Sequence, residues 1–176
     1  MTIETERLSL SPFTTDQLLA LIEQPENFAK IAGYPAAEGL REFFVGGEVS
    51  PEWIARLRSG QATHPWGLGF AVVDKETHTV VGTTGFKGPP DENGVVEIAY
   101  GIVPSFEGRG YATETAKAVV EFAYATGSVK RVIAHTLPMA NASTSVLAKC
   151  GFEFVSDVID PEDGLVWRWQ RWPGQG

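Results

Sequence analysis

One carboxylate, Glu97, stands inside the apolar run Val95-Val96-Glu97-Ile98-Ala99-Tyr100-Gly101-Ile102-Val103, and two glycines, Gly108 and Gly110, follow just before a helical pattern begins. A carboxylate drawn out of water has its pKa raised toward the range of a general base. The same residue could instead be a solvated or salt-bridged strand carboxylate, and the sequence leaves both readings open. Two glycines in a tight turn let several backbone N–H groups converge without Cβ interference. A helix starting directly after them adds its unpaired first-turn amides and its positive dipole end. Strand, glycine turn and helix start together make a main-chain site for a diphosphate. An ordinary strand-to-helix turn would look the same. The turn is not a P-loop, since no Gly-Lys-Ser/Thr follows. A dinucleotide fingerprint would need a third glycine where Thr113 stands, and an acidic end to the next strand, which reads His135-Thr136-Leu137.

The elements that must position these groups can be read from periodicity. Val95–Val103 is dense in β-branched residues, as a strand buried on both faces should be, and Pro104 ends it. Gly101 within it suggests a bulge or a close backbone approach. From Arg109 the spacing turns helical, with Ala112, Ala116, Val119, Val120 and Ala123 on one stripe. Arg131 to Thr136 is the next buried strand, so strand, helix and strand form a parallel βαβ unit. Upstream, Ile3 to Pro12 alternates as a half-buried strand, and a helix capped at Thr14-Thr15-Asp16 stops before Pro25. Residues 27–60 are expected to hold two or three short helices, one starting after Ser50-Pro51. Trp66 to Asp74 and Val80 to Lys87 read as a hairpin turning at Asp74-Lys75-Glu76-Thr77-His78. Asn141-Ala142-Ser143-Thr144 opens a helix closed by Gly151, and Phe152 to Val158 and Leu165 to Trp172 pair around Asp160–Gly164.

At 176 residues the chain is expected to be one domain over 1–176, with a substantial core. A net charge of −8 argues against nucleic acid and a membrane surface as partners. It favours a cationic partner mildly and a plain cytoplasmic enzyme more strongly. One cysteine, Cys150, excludes a disulfide framework and a cysteine-based metal site, and its apolar neighbours argue against a nucleophile. His64, His78 and His135 share no ligand spacing, so no metal is expected. No secretory leader or bilayer-spanning run is evident, and the expected location is cytoplasmic.

Glu107-Gly108-Arg109-Gly110-Tyr111-Ala112-Thr113-Glu114 resembles the acetyl-CoA pyrophosphate motif of the GCN5-related N-acetyltransferases (GNAT), whose core is [Gln/Arg]-x-x-Gly-x-[Gly/Ala]. Gly110 and Ala112 match that core, and Glu107 departs from its leading position. The run Gly-x-Gly-Tyr-Ala-Thr-Glu and the opening Glu4-Thr5-Glu6-Arg7-Leu8 are similar to the branch containing the ribosomal-protein-alanine N-acetyltransferases. Asn141 to Phe152 resembles that family's second signature, an Asn-x-x-Ser-type helix ending in Lys-x-Gly-Phe.

The resemblance implies an α/β (α+β) fold: one GNAT-like domain with a mixed central sheet of about seven strands, a splayed parallel pair and flanking helices. It implies acetyl transfer from acetyl-CoA, without a metal, to a primary amine by direct attack in a ternary complex. A non-catalytic acyl-CoA-binding or regulatory domain of the same fold is the alternative. The acceptor would be a small molecule or a protein N-terminus, and the assembly a monomer or homodimer. Backbone groups at Ile102 and Val103 would anchor the thioester. Gly108, Arg109, Gly110, Tyr111, Ala112 and Thr113 would hold the diphosphate. Asn141 would hold the pantetheine amide or simply cap its helix. Glu97 would be the base. Leu147 stands where family members carry an acidic tyrosine, which leaves Ser143 as the acid, unless it is only a first-turn serine. Trp66 and Tyr100 would line the acceptor site, unless they are core.

Overall fold

In a computed structural model describing residues 1–46 and 49–174, the β-branched runs pair into a sheet of eight strands ordered β1-β2-β3-β4-β5-β6-β8-β7. The strands are β1 (Ile3–Glu4), β2 (Leu8–Pro12), β3 (Phe70–Asp74), β4 (Thr79–Phe86), β5 (Val95–Ile102), β6 (Arg131–Thr136), β7 (Glu153–Asp160) and β8 (Gly164–Arg171). Every neighbouring pair is antiparallel except β5 and β6. The helices are α1 (Thr15–Glu23), α2 (Phe28–Ala32), α3 (Glu42–Val45), α4 (Pro51–Arg58), α5 (Tyr111–Ala125) and α6 (Ala142–Lys149). Gly47 and Glu48, inside the stretch expected to hold short helices, lie outside the described residues.

The single strand expected over Ile3 to Pro12 is instead a hairpin, with Ile3 opposite Leu10 and Glu4 opposite Ser9. Thr5 closes its turn: the Thr5 N–H donates to the Leu8 carbonyl, and the Leu8 N–H donates to Thr5 Oγ1. Alternation alone could not reveal this, because a tight turn of polar residues keeps the same period. Similarly, β3 begins only at Phe70, and Trp66 lies in the turns before it.

Helix α5 crosses from β5 to β6 and buries the stripe its spacing prescribes. Ala116, Val119, Val120 and Ala123 are buried to within 1% and pack with Val96, Ile98, Val132 and Ala134. A second cluster joins Leu8, Leu10, Phe70, Val72, Val80 and Val81 to α1 through Leu18 and Leu21. Helix α6 adds Leu147 to the first cluster.

The parallel contact between β5 and β6 runs only from Val95 to Glu97, whereas β4 follows β5 through Ile102. Beyond Glu97 the two parallel strands diverge. No register shift marks Gly101, so the bulge reading gives way to close approach. A Cβ on Gly82 would stand 2.3 Å from the Gly101 carbonyl oxygen, and one on Gly101 would stand 2.7 Å from the Phe43 ring.

Candidate active site

The divergence of β5 from β6 opens a cavity of about 120 Å³ lined by Lys87, Glu97, Ile98, Ala99, Tyr100, Ala134, His135 and Ser143. Strand geometry aims its main chain. Lys87 N–H bonds the Glu97 carbonyl and Val103 N–H bonds the Val81 carbonyl, so odd-numbered residues of this stretch face β4. The amides of Tyr100 and Ile102 therefore point to the other side, where β6 has left. The Ile102 N–H lies on that open edge. That of Val103, expected to act with it, is spent on Val81.

Glu97 is mostly buried, with 18% of its side chain exposed, and its Oε2 lies 3.1 Å from Lys87 Nζ and 3.0 Å from His135 Nδ1. The salt-bridged reading and the cavity-lining reading are thus both realised. Burial works against the charge on Lys87, but Glu97, Asp163 and Asp160 outweigh it and hold the ammonium above its ordinary pKa. His135, which sequence reasoning considered only as a metal ligand, accepts from Arg168 Nε at its Nε2, 3.0 Å away. Arginine has no lone pair to offer, so the ring carries its proton on Nδ1, toward Glu97. The separation from Glu97 is that of a hydrogen bond, yet the N–H does not point along it, and Nδ1 remains a buried donor without a well-aimed acceptor. The only sequence signal for this residue was period: His135 lies on the cavity side of a strand whose alternate residues are core.

Tyr100 spans the cavity and donates its hydroxyl to the Ser143 carbonyl at 3.4 Å. Burial pushes its pKa up to about 12, the Ser143 contact opposing, so it holds its proton. Among the described residues Ser143 Oγ has no hydrogen-bond partner, which sets aside the reading in which it bonds its own helix. Leu147 is fully buried. Asn141 caps α6: its side-chain oxygen accepts from Thr144 N–H while Thr144 Oγ1 accepts from Asn141 N–H, both at 3.0 Å. The cap reading is thus realised, and the side-chain amide nitrogen is not part of it. Trp66 packs edge-on against Phe86 at 4.8 Å and does not line the cavity. Burial raises the Cys150 thiol pKa, as an inert core cysteine requires.

At the glycine turn, Gly108 and Gly110 have φ of +75° and +82°, a region that side chains disfavour. Gly110 occupies the N-terminal cap of α5 and offers no side chain to its amides, which leaves those of Tyr111, Ala112 and Thr113 without intrahelical partners. A Cβ on Gly108 would meet nothing within 4 Å, so the turn is open to a ligand. These features fit a diphosphate. The Tyr111 side chain does not take part. It is buried, and its hydroxyl donates to Asp74 Oδ1 at 3.0 Å, locking the helix start to the hairpin. Arg109 lies back over the Phe106 ring at 4.7 Å.

Among the described residues no cluster of His, Cys, Asp and Glu could hold a metal ion, and no helix is long and apolar enough to cross a membrane.

The acetyltransferase (GNAT) domain model matches residues 7–153. The uncharacterized N-acetyltransferase YjdG of Bacillus subtilis is 29% identical over 152 residues, 85% of this chain and 88% of its own length. A putative ribosomal-protein-serine acetyltransferase from Vibrio cholerae has the same fold, with a TM-score of 0.68 and 17% identity over 98% of both chains. So does RimL, a ribosomal L7/L12 alpha-N-protein acetyltransferase solved with coenzyme A, at a TM-score of 0.67 and 15% identity over 98% of both chains.

Proposed function

The chain belongs to the GNAT family of acetyltransferases, and on that premise we propose that it moves the acetyl group of acetyl-CoA to a primary amine by direct attack within a ternary complex. The observation that carries this reading is the slot where β5 leaves β6, lined by a carboxylate, a neutral histidine and a protonated tyrosine, with the Ile102 amide farther along the same open strand edge.

Acetyl-CoA supplies an activated thioester. The amides of Gly108 to Thr113 hold its diphosphate. The Ile102 N–H donates to the carbonyl oxygen as negative charge gathers there. Glu97 takes the proton released by the acceptor amine, directly or through water. An arriving ammonium competes with Lys87 for Glu97, so the exposed end of Lys87 must yield. Tyr100 or Ser143 returns a proton to the departing sulfur; Tyr100 is the better placed to keep one at neutral pH.

The ribosomal-protein acetyltransferases of similar fold support a protein N-terminus as the acceptor. A small-molecule amine is the other acceptor class that this reading admits. A second reading, a domain that binds acyl-CoA without turnover, is favoured by the buried Leu147 and by the Lys87–Glu97 pair that occupies the base. Calorimetric titration of acetyl-CoA followed by thiol release in the presence of peptide and small-molecule amines separates the two. Binding with release supports transfer, binding without release supports the second reading, and no binding overturns both.

A further inference from the structure

The opening run Glu4-Thr5-Glu6-Arg7-Leu8 has no part in the transfer described above, yet its turn folds onto the glycine turn more than a hundred residues away. Glu114, in the first turn of α5, is the hub. Its Oε2 accepts from Thr5 Oγ1 and from the Arg7 main-chain N–H, and its Oε1 accepts from Arg7 Nε at 2.8 Å. Arg7 Nη1 donates to the carbonyl of Arg109 at 2.7 Å, and the guanidinium lies over the Tyr111 ring at 4.6 Å. Arg7 Nη2 reaches 3.2 Å from the point where a Cβ on Gly110 would stand, and among the described residues it has no hydrogen-bond partner.

Two physical consequences follow. Burial works against the charge on Glu114, but Thr5 and Arg7 outweigh it and hold the carboxyl below its ordinary pKa, so an anion sits one turn inside the helix end that must receive a diphosphate. Uncompensated, it would repel that ligand, and the chain already carries a net charge of −8. Arg7 cancels the charge and still has a forked donor to spare at the turn. Arg109, the only other cation in the turn, is directed back over Phe106 and Ser105.

We propose that Arg7 is a ligand of the coenzyme diphosphate, supplied by the N-terminal hairpin, and that Glu114 is the residue that positions it. The proposal rests on the acetyl-CoA reading above. It explains why the strand breaks at Thr5: an unbroken strand would carry Arg7 along the sheet rather than over Gly110.

The test compares two ligands on the purified full chain: coenzyme A, which carries the diphosphate with its nucleotide, and S-acetylpantetheine, an acetyl donor that lacks both. Arg7→Met should weaken coenzyme A binding by about tenfold or more in a calorimetric titration. It should weaken S-acetylpantetheine, measured as KM in thiol release, by much less, and should flatten the salt dependence of coenzyme A affinity. Arg7→Lys keeps a charge without the fork and should fall between wild type and Arg7→Met; it stands in if Arg7→Met does not fold. Equal losses for the two ligands, or an unchanged salt dependence, would reduce Arg7 to a structural residue and overturn the proposal alone. A wild-type chain that binds neither coenzyme A nor acetyl-CoA would overturn the function reading and this inference with it.

Discussion

His135 Nδ1 stands 3.0 Å from Glu97 Oε2 and carries the ring's proton, because Arg168 occupies the other nitrogen, although the N–H is not aimed along that line. A carboxylate inside a sheet edge would ordinarily be neutralised by a single partner. Here it meets a neutral donor that cannot take its charge and an ammonium at the cavity mouth that can be displaced. On the proposed mechanism, the ring would hold the carboxylate in place while the ammonium yields to an incoming amine.

Replacing Glu97 with glutamine keeps the shape and removes the proposed base. Thiol release with a competent amine should fall by about a hundredfold or more, while acetyl-CoA affinity changes by less than about twofold. Full turnover in the mutant would assign the proton to another group.

His135→Phe should act differently. Arg168 loses its acceptor, at a cost of about 1–3 kcal/mol in urea denaturation. On the transfer reading, turnover should drop about tenfold while the KM for acetyl-CoA barely moves, because the ring stands 3.0 Å from Glu97. A change confined to stability would leave His135 as packing.

Tyr100 makes a prediction about pH. Its folded-state pKa of about 12 lies above the value near 10 expected in the unfolded chain. The unfolded state therefore releases this proton first, so the contribution of neutral Tyr100 to stability is complete below about pH 10 and declines as pH rises toward 12. Denaturation curves of the wild type between about pH 9 and 11 should show this decline, and Tyr100→Phe should show a shallower one. Identical slopes would mean that Tyr100 titrates as an exposed phenol.

Tyr111→Phe tests the anchor between the start of α5 and the β3–β4 hairpin. Removing its hydroxyl takes one donor from the buried Asp74, leaving Thr77 as the side-chain donor. Thermal or urea unfolding should reveal a loss of about 1–3 kcal/mol. A mutant as stable as wild type would show that the bond adds nothing to what the Thr77 hydroxyl and water provide.

Much of this molecule was legible in one dimension. The β5 run, the α5 stripe, the Thr14 and Asn141 caps and the Gly151 stop are local patterns whose causes lie within a few residues. The glycine turn was legible because its positive φ angles favour glycine, and its fuller string resembled a known motif. Two features were not: the turn of the N-terminal hairpin, where polar alternation hides a reversal, and the start of β3, where aromatic Trp66 imitates a strand residue. Among site residues, Glu97 and Ser143 were named from the sequence and stand together in the cavity, whereas Trp66 was named and stands outside it.

The sequence by itself determined most of the elements, their order and the glycine turn before α5, because helix periods, β-branching and glycine conformations act over short distances. Only the tertiary structure decided the pairings that give those elements chemistry. Arg168 fixes the His135 tautomer from 33 residues away, Arg7 reaches Glu114 across 107, and β5 parts from β6 after Glu97. Each depends on side chains or strand edges brought together by packing of the whole sheet, and no local propensity encodes a distance of that kind.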